Sequence, residues 1–343
     1  MKVVVDNKIP FIQDAIEQIA DTVIYKKGND INAQDVADAD ALIVRTRTRC
    51  DRKLLENSSV KYIATATIGF DHIDVDYLKE KNIVWNNCPG CNANSVAQYI
   101  HSCLLLLNDA KKIDINHCSM GIVGAGHVGK AVGKAVSALG IKVYYNDPPL
   151  EESGTEKNIC FADIETIQQT CDIVSFHTPL VLNGKYPTYH LADREFMSKL
   201  KKDCILINTS RGAVVDNDAL LDMLQNEQLQ DAVIDTWEHE PEINRILLER
   251  VFIGTPHIAG YSADGKANAT RMALEGLCRF FNRPFNYTIE APELPAKLRP
   301  SAQASDCEKA LTLYNPLKDS LRLKTHPELF EELRGNYPLR REK

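Results

Sequence analysis

Long apolar runs are missing from this 343-residue chain. None is continuous enough to cross a bilayer as a helix, and the opening Met1-Lys2-Val3-Val4-Val5-Asp6 reads as a buried strand, not as a charged leader to a signal core. Excess positive charge is missing too. Lys and Arg number 40 against 47 Asp and Glu, a formal net charge of -7; this argues against nucleic-acid and membrane partners and leaves room only for a small basic pocket. Closely spaced cysteine pairs are scarce. Cys88-Pro-Gly-Cys91 has no second pair and no histidine at a matching spacing, so it is read as a structural loop, with no metal expected. The 10 cysteines are scattered through apparent strands and helices, unlike the staples of a small secreted domain, so reduced thiols and a cytoplasmic location are expected. No internal repeat or low-complexity tract is present, and 44% hydrophobic residues exclude disorder as the default.

What the chain does contain is alternation of short apolar strands with helical stretches. Lys2-Asp6, the helical Phe11-Ala20, Ala41-Arg45, Val60-Thr65 and Ile83-Asn86 form a first series, and alternation of this kind implies a parallel sheet covered by helices. A long helix follows over Ser95-Asn108, with its apolar run Cys103-Leu107 read as core. A second series runs through Ser119-Val123, Lys142-Asn146, Asp172-Phe176, Cys204-Asn208, Gln230-Ile234 and Val251-Gly254. The fold class is therefore α/β, with two consecutive doubly wound parallel-sheet units. Helix Ala267-Asn282 comes next, then the proline-bearing Ala291-Pro300 and a charged, helical tail.

The strongest local signal is Gly121-Ile-Val-Gly124-Ala-Gly126-His127-Val128-Gly129, which completes an apolar strand and opens the helical run Lys130-Leu139. Gly124 permits the tight turn, Gly126 lets backbone approach a pyrophosphate, and Gly129 lets helix and sheet pack closely. The amides at His127 and Val128 then face the phosphates, with the His127 ring uninvolved. Asp147, about 20 residues beyond the glycines, ends the next strand, where a carboxylate accepts hydrogen bonds from an adenosine ribose and repels a 2′-phosphate; NAD is expected over NADP. Asp147 can instead cap the turn made with Pro148-Pro149.

Oxidising a hydroxyl beside a carboxylate needs a cation for the carboxylate, a base for the proton and a hydride acceptor. Arg211 follows an apolar strand and carries a planar fork suited to a carboxylate. Glu240 and His257 follow the next two strand-like runs; His257 is the natural base, and a carboxylate such as Glu240 would orient its ring. Each residue alone reads as a surface arginine, a solvated acidic loop or a core histidine. Their occurrence at successive strand ends favours catalysis. Arg45, Arg47 and Arg49 alternate after Ala41-Val44, so an extended segment would put them on one side, either to attract an anion or as a solvated edge. His72 is read as a packing residue.

Those segments resemble the D-isomer-specific 2-hydroxyacid dehydrogenases: the glycine fingerprint, Asn208-Thr-Ser-Arg211-Gly, Asp235 to Pro241 and Thr255-Pro-His257. A narrower likeness within that family rests on Ala64 to His72, Cys88 to Ala93 and Thr255 to Lys266, over most of residues 1–285. It points to members that take a small phosphorylated 2-hydroxy acid. The resemblance implies that Arg211 and Glu240 are active-site residues and His257 the proton donor and acceptor. It places Asp147, Thr178, Asp235 and Gly260 at the nucleotide, and Thr46, Thr67 and Tyr261 at the substrate. It also implies a flavodoxin-like substrate domain (1–92 and about 262–285), a Rossmann NAD-binding domain (93–261) and a small C-terminal dimerisation region (286–343) in a homodimer. Two rivals follow: another dehydrogenase of the family, acting on 3-phosphoglycerate or on glycerate and hydroxypyruvate, and a non-catalytic NAD(H)-sensing protein.

Overall fold

The computed structural model describes residues 1–157, 159–338 and 340–342, apart from the Lys297 side chain. The chain separates into two compact units, Met1–Asn92 with Ser262–Glu293, and Ala93–Tyr261 with Leu294–Lys343.

In the first unit, β1 (Lys2–Asp6), β2 (Thr22–Lys26), β3 (Ala41–Val44), β4 (Tyr62–Thr65) and β5 (Val84–Asn86) form one sheet in the order β2-β1-β3-β4-β5. Every pairing is parallel. Successive side chains on a strand face opposite ways, and both faces here are covered. Val3, Val5, Ala41, Ile43 and Ala64 enter one apolar cluster, while Val4, Leu42, Val44 and Ile63 enter the other. That is why these strands read as continuous apolar runs. Helix Ala263–Phe280 returns to this unit, placing Ala267, Ala273, Leu274 and Leu277 in the first cluster. The edge strand β2 was not among the expected elements; it is exposed at Thr22 and half-buried over the next four residues.

Arg45, Arg47 and Arg49 do not share one side of a strand. β3 stops at Val44, and the chain turns through residues 45–49 as the Thr48 amide donates to the Arg45 carbonyl (3.3 Å) and the Thr48 hydroxyl to the Gly28 carbonyl (2.9 Å).

In the second unit, β6 (Ser119–Val123), β7 (Lys142–Asn146), β8 (Ile173–Phe176), β9 (Ile205–Asn208), β10 (Asp231–Ile234) and β11 (Ile253–Gly254) pair in parallel, in the order β11-β10-β9-β8-β6-β7. The chain builds outward from β6 to β7, then crosses to β8 on the other side. The point of reversal lies at the carboxyl end of β6, where open α/β sheets take ligands. Helix Ala93–Asp109 packs beside helix His127–Ser137 on one face.

The segment expected as a separate region over 286–343 is divided. Residues 286–293 group with the first unit and 294–343 with the second, because the tail's own apolar residues are spent on the second core: Leu323, Phe330 and Leu333 are buried there. Burying each of those side chains contributes on the order of 2 kcal/mol.

Candidate active site

The glycine turn follows β6. Gly124 has φ +97°, and a Cβ on it would lie 2.7 Å from the His177 carbonyl oxygen. A Cβ on Gly129 would lie 1.9 Å from the Gly124 carbonyl oxygen, so the helix closes on the turn only because it is absent. Gly126 is different: a Cβ there would meet nothing within 4 Å, which leaves room for a ligand to approach the backbone. Gly126 is also the N-cap of helix His127–Ser137 and supplies no side-chain acceptor, and the first turn carries no acidic residue. The amides near His127 and Val128 are thus presented to an anion. The His127 side chain is exposed.

Asp147 does two things at the end of β7. Its Oδ2 accepts the Ala125 amide of the glycine turn (2.9 Å) and its Oδ1 accepts the Leu150 amide (3.0 Å), capping helix Pro148–Ser153. The capping role weighed from sequence is present, and it fixes the carboxylate beside the turn with lone pairs remaining. After β8 comes Thr178, whose buried hydroxyl has no hydrogen-bond partner among the described residues. A buried hydroxyl without a partner is costly unless a ligand supplies one. The open cradle at Gly126, the uncapped amides and the Thr178 hydroxyl together fit a dinucleotide. Thr236, beside Asp235, has a similarly unpartnered buried hydroxyl that sequence reading had not singled out.

The chemistry-bearing side chains sit past the carboxyl ends of three neighbouring strands: Arg211 after β9, Glu240 after β10 and His257 after β11. His257 has φ +57°, a left-handed conformation that a non-glycine residue holds only when its surroundings enforce it. Asp235 does the enforcing. Wholly buried, it accepts the Thr255 hydroxyl (2.6 Å) and the Ile258 amide (2.8 Å) on Oδ1, and the Ala259 amide (2.9 Å) on Oδ2. Thr255 in turn meets the buried Tyr99 hydroxyl at 2.7 Å, tying the loop to the long helix. Burial pushes the Asp235 carboxyl above its ordinary range, against the His257 charge and these hydrogen bonds. The structure therefore shows Asp235 holding the loop that carries His257 and Gly260.

Glu240 receives His257. Its Oε2 lies 2.8 Å and its Oε1 3.1 Å from the His257 Nδ1, and Oε1 also accepts the Trp237 amide (3.0 Å). Burial pushes the Glu240 carboxyl up, but the hydrogen bond and charge of His257, the Trp237 amide and the Arg334 charge outweigh it and hold the group below its ordinary value. An ionised carboxylate only accepts, so Nδ1 carries the hydrogen and Nε2 is left to exchange a proton with a substrate. Two glutamates of the acidic loop are thereby told apart. Glu238 faces elsewhere, accepting from His190 Nε2 (2.7 Å) and from the Asn217 amide (2.9 Å).

Arg211 is anchored at both ends of its residue. Asn208 Nδ2 donates to its carbonyl (2.9 Å), and its Nη1 donates to the Ser210 carbonyl (2.9 Å). A Cβ on the following Gly212 would fall 1.8 Å from the Trp237 carbonyl oxygen, so this turn and the Glu240 loop pack backbone to backbone. His177 makes a 2.9 Å contact with Ser175 Oγ through Nε2, and burial pushes its imidazole down to about 3.

Sequence reading missed what the tail brings. Arg334, on helix Phe330–Gly335, places Nη1 3.6 Å from Glu240 Oε2. Arg340 is buried and donates to the carbonyls of Ile258 (3.1 Å), Ala259 (2.6 Å) and Tyr261 (2.9 Å), with its guanidinium 3.9 Å from the Tyr314 ring centroid. The Tyr261 ring meets the Tyr337 ring edge to face, with centroids 6.2 Å apart.

Thr46 and Thr67 belong to the first unit. Thr46 is exposed in the turn after β3. Thr67 Oγ1 donates to the Gly69 carbonyl (2.8 Å) and contacts Thr65 Oγ1 (2.6 Å), which also meets the buried His72 ring (2.9 Å). Arg45 donates to the Lys8 carbonyl (3.0 Å), and Arg49 pairs with Asp51 (3.2 Å). The Cys88 thiol contacts the carbonyls of Thr65 (3.3 Å) and Ala269 (3.2 Å), and burial pushes it up to about 12, far from the thiolate that redox chemistry needs.

Residues 106–259 match the family model of the D-isomer specific 2-hydroxyacid dehydrogenase NAD binding domain. The erythronate-4-phosphate dehydrogenase of Bacteroides fragilis is 57% identical over 342 residues, covering 100% of this chain and 97% of that protein. Its counterpart in Escherichia coli O157:H7 is 39% identical over 351 residues, covering 100% and 92%. Among solved structures, the D-lactate dehydrogenase from Aquifex aeolicus complexed with NAD and lactic acid matches with a TM-score of 0.66 and 25% identity, over 82% of this chain and 96% of that one.

Proposed function

The chain belongs to the D-isomer-specific 2-hydroxyacid dehydrogenases, and within them to the erythronate-4-phosphate dehydrogenases; from that premise we propose that it oxidises 4-phospho-D-erythronate at C2, giving 2-oxo-3-hydroxy-4-phosphobutanoate in the synthesis of vitamin B6. The cofactor is NAD. It would lie on the Gly126 cradle and the amides of His127 and Val128, with Gly129 behind them, Asp147 at the ribose, and Thr178, Asp235 and Gly260 toward the nicotinamide end. When bound it accepts the hydride that leaves C2.

The observation that carries this reading is the Glu240–His257 pair with Nδ1 engaged at 2.8 Å, next to a cation on the adjoining strand end. Arg211 holds the C1 carboxylate through two parallel hydrogen bonds. His257 Nε2 takes the C2 hydroxyl proton as the carbonyl forms, and Glu240 stabilises the imidazolium and keeps the ring from rotating. Thr46, Thr67 and Tyr261 offer hydroxyls to the substrate without adding fixed charge.

The test is NAD reduction by the purified full chain with 4-phosphoerythronate, 3-phosphoglycerate and D-glycerate in separate reactions, read both as a single turnover at high enzyme concentration and in the steady state, since product release can limit the latter. Turnover with the first alone supports the proposal; turnover with another acid replaces the substrate. His257→Ala is expected to lower kcat about 10²- to 10⁴-fold with a smaller effect on KM.

We further propose that the protein works as a homodimer in the cytoplasm. Helix Pro316–Thr325 supports the first point, since Leu317 and Leu321 are exposed one turn apart on the same side. No helix among the described residues is long and apolar enough to cross a membrane. Light scattering that returned the mass of one chain would refute the dimer.

A further inference from the structure

The Glu240–His257 pair has a third member that lies outside the segment matched by the family model, residues 106–259. Arg334 stands on helix Phe330–Gly335, seated by Phe330 (1% exposed) and Leu333 (8% exposed). Its Nη1 is 3.6 Å from Glu240 Oε2, the oxygen that lies 2.8 Å from His257 Nδ1. The Arg334 and Glu240 side chains retain 23% and 17% exposure, so their charges interact with little solvent between them. The same guanidinium hydrogen-bonds Tyr261 and lies 3.8 Å from Glu331 on its own helix.

This arrangement answers a chemical problem in the oxidation. A base must begin neutral. While His257 is neutral, Glu240 lacks its imidazolium partner, and burial favours the protonated acid. A protonated Glu240 no longer draws the Nδ1 hydrogen, and the ring is free to change tautomer and present the wrong nitrogen. Arginine keeps its charge at every working pH. We infer that Arg334 is a positioning residue for hydroxyl oxidation, keeping Glu240 ionised and aimed at Nδ1 during the part of the cycle in which His257 is neutral; this rests on the function proposed above.

The other groups facing the pair do not substitute for it. Asp235, from the end of β10, feels the His257 charge but has its oxygens engaged by Thr255, Ile258 and Ala259. Glu331 carries the same sign as Glu240. The Trp237 amide is a neutral donor, and the Tyr261 hydroxyl accepts from Arg334 itself. The tail is thus part of the catalytic apparatus, with Arg340 fixing the backbone on one side of His257 and Arg334 fixing the charge on the other.

The experiment compares full-length wild type, Arg334→Gln and Arg334→Lys. Two readouts are followed: the pH profiles of kcat and KM with 4-phosphoerythronate and NAD, and ¹⁵N-histidine NMR titration, with the His257 signals assigned through His257→Gln. Loss of a cation at this range should let the Glu240–His257 pair retain its proton to higher pH, by about one unit. The acid limb of kcat and the His257 signals should both move up in Arg334→Gln and return in Arg334→Lys. The inference fails if the His257 titration is unchanged in Arg334→Gln, or if that variant raises KM alone, which would make Arg334 a substrate contact. If the wild type does not oxidise 4-phosphoerythronate, the proposed function falls while the NMR titration still decides the role of Arg334.

Discussion

Glu240→Gln tests the reading of the pair most directly, because the structure dictates what a neutral isostere would break. The carboxylate oxygens accept the Trp237 amide on Oε1 (3.0 Å) and the His257 Nδ1–H on Oε2 (2.8 Å). Glutamine offers one accepting oxygen and one donating NH₂, so one of the two donors must face another donor. If the oxygen stays with Trp237, His257 turns its hydrogen to Nε2 and cannot take the substrate proton. If the oxygen goes to His257, a buried amide loses its acceptor, at a cost of about 1–3 kcal/mol. Either arrangement also removes the negative charge that stabilises the imidazolium. A wrong tautomer with the geometry otherwise intact costs on the order of 10⁴ in kcat in serine proteases, so a fall of about 10²- to 10⁴-fold is expected, with KM for the hydroxy acid changed far less. Steady-state oxidation assays, with urea unfolding as the control for stability, give both numbers. A folded Glu240→Gln enzyme retaining a third or more of wild-type kcat would refute the pairing of Glu240 with His257 as the source of activity.

Two substitutions in the glycine turn should behave differently. Gly126→Ala meets open space, so it should leave the melting temperature of the cofactor-free protein unchanged while weakening NADH binding about tenfold or more in a fluorescence titration. Gly129→Ala drives a Cβ to 1.9 Å from the Gly124 carbonyl oxygen, so it should lower both stability and binding. The burial-lowered His177 gives a pH prediction. Its folded value near 3 lies below the ordinary 6.5, so the unfolded chain binds the proton first; stability is full above about pH 6.5 and is lost as pH falls toward 3. The loss is at most about 1.4 kcal/mol per pH unit, the limit for one proton, and less where solvent reaches this half-buried residue. Urea midpoints of wild type and His177→Gln between pH 7 and 5 should show a shallower slope in the variant; parallel slopes would contradict the burial of its ring.

Much of the fold was legible because parallel sheets covered on both faces write themselves as apolar runs. All six strands of the second sheet were expected close to where they occur, and the reason is visible in Leu206 and Ile207, neighbours that enter opposite cores. β2 escaped because an edge strand with Thr22 exposed and the next four residues half-buried has no such run. The arginines after β3 misled for a local reason: alternation in sequence implies one face only while the backbone stays extended, and the Thr48 hydroxyl bond to Gly28 bends it. The tail was opaque because its decisive contacts run from side chain to backbone. Arg340 recognises the carbonyls of Ile258, Ala259 and Tyr261, and carbonyls carry no residue identity for a sequence to reveal.

The site shows the same division. Arg211, Glu240 and His257 were readable as types placed at strand ends, but their selection over neighbours rested on the family resemblance and not on residue type: Glu238 and Glu240 stand two residues apart, and the structure supplies the physical distinction, sending one to His190 and the other to His257. Asp235 shows why. Its sequence position suggests a nucleotide contact, whereas its side chain accepts from the hydroxyl and amides that hold His257 at φ +57°. A strained residue of this kind persists only when independent elements over-determine it. Here they do so from three directions: Tyr99 through Thr255 from the long helix, Asp235 from the end of β10, and Arg340 from the tail. The strain and its restraints imply one another. A variant that relaxes the loop, such as Asp235→Ala, should therefore lose turnover through the position of His257 even though Glu240 and Arg211 remain.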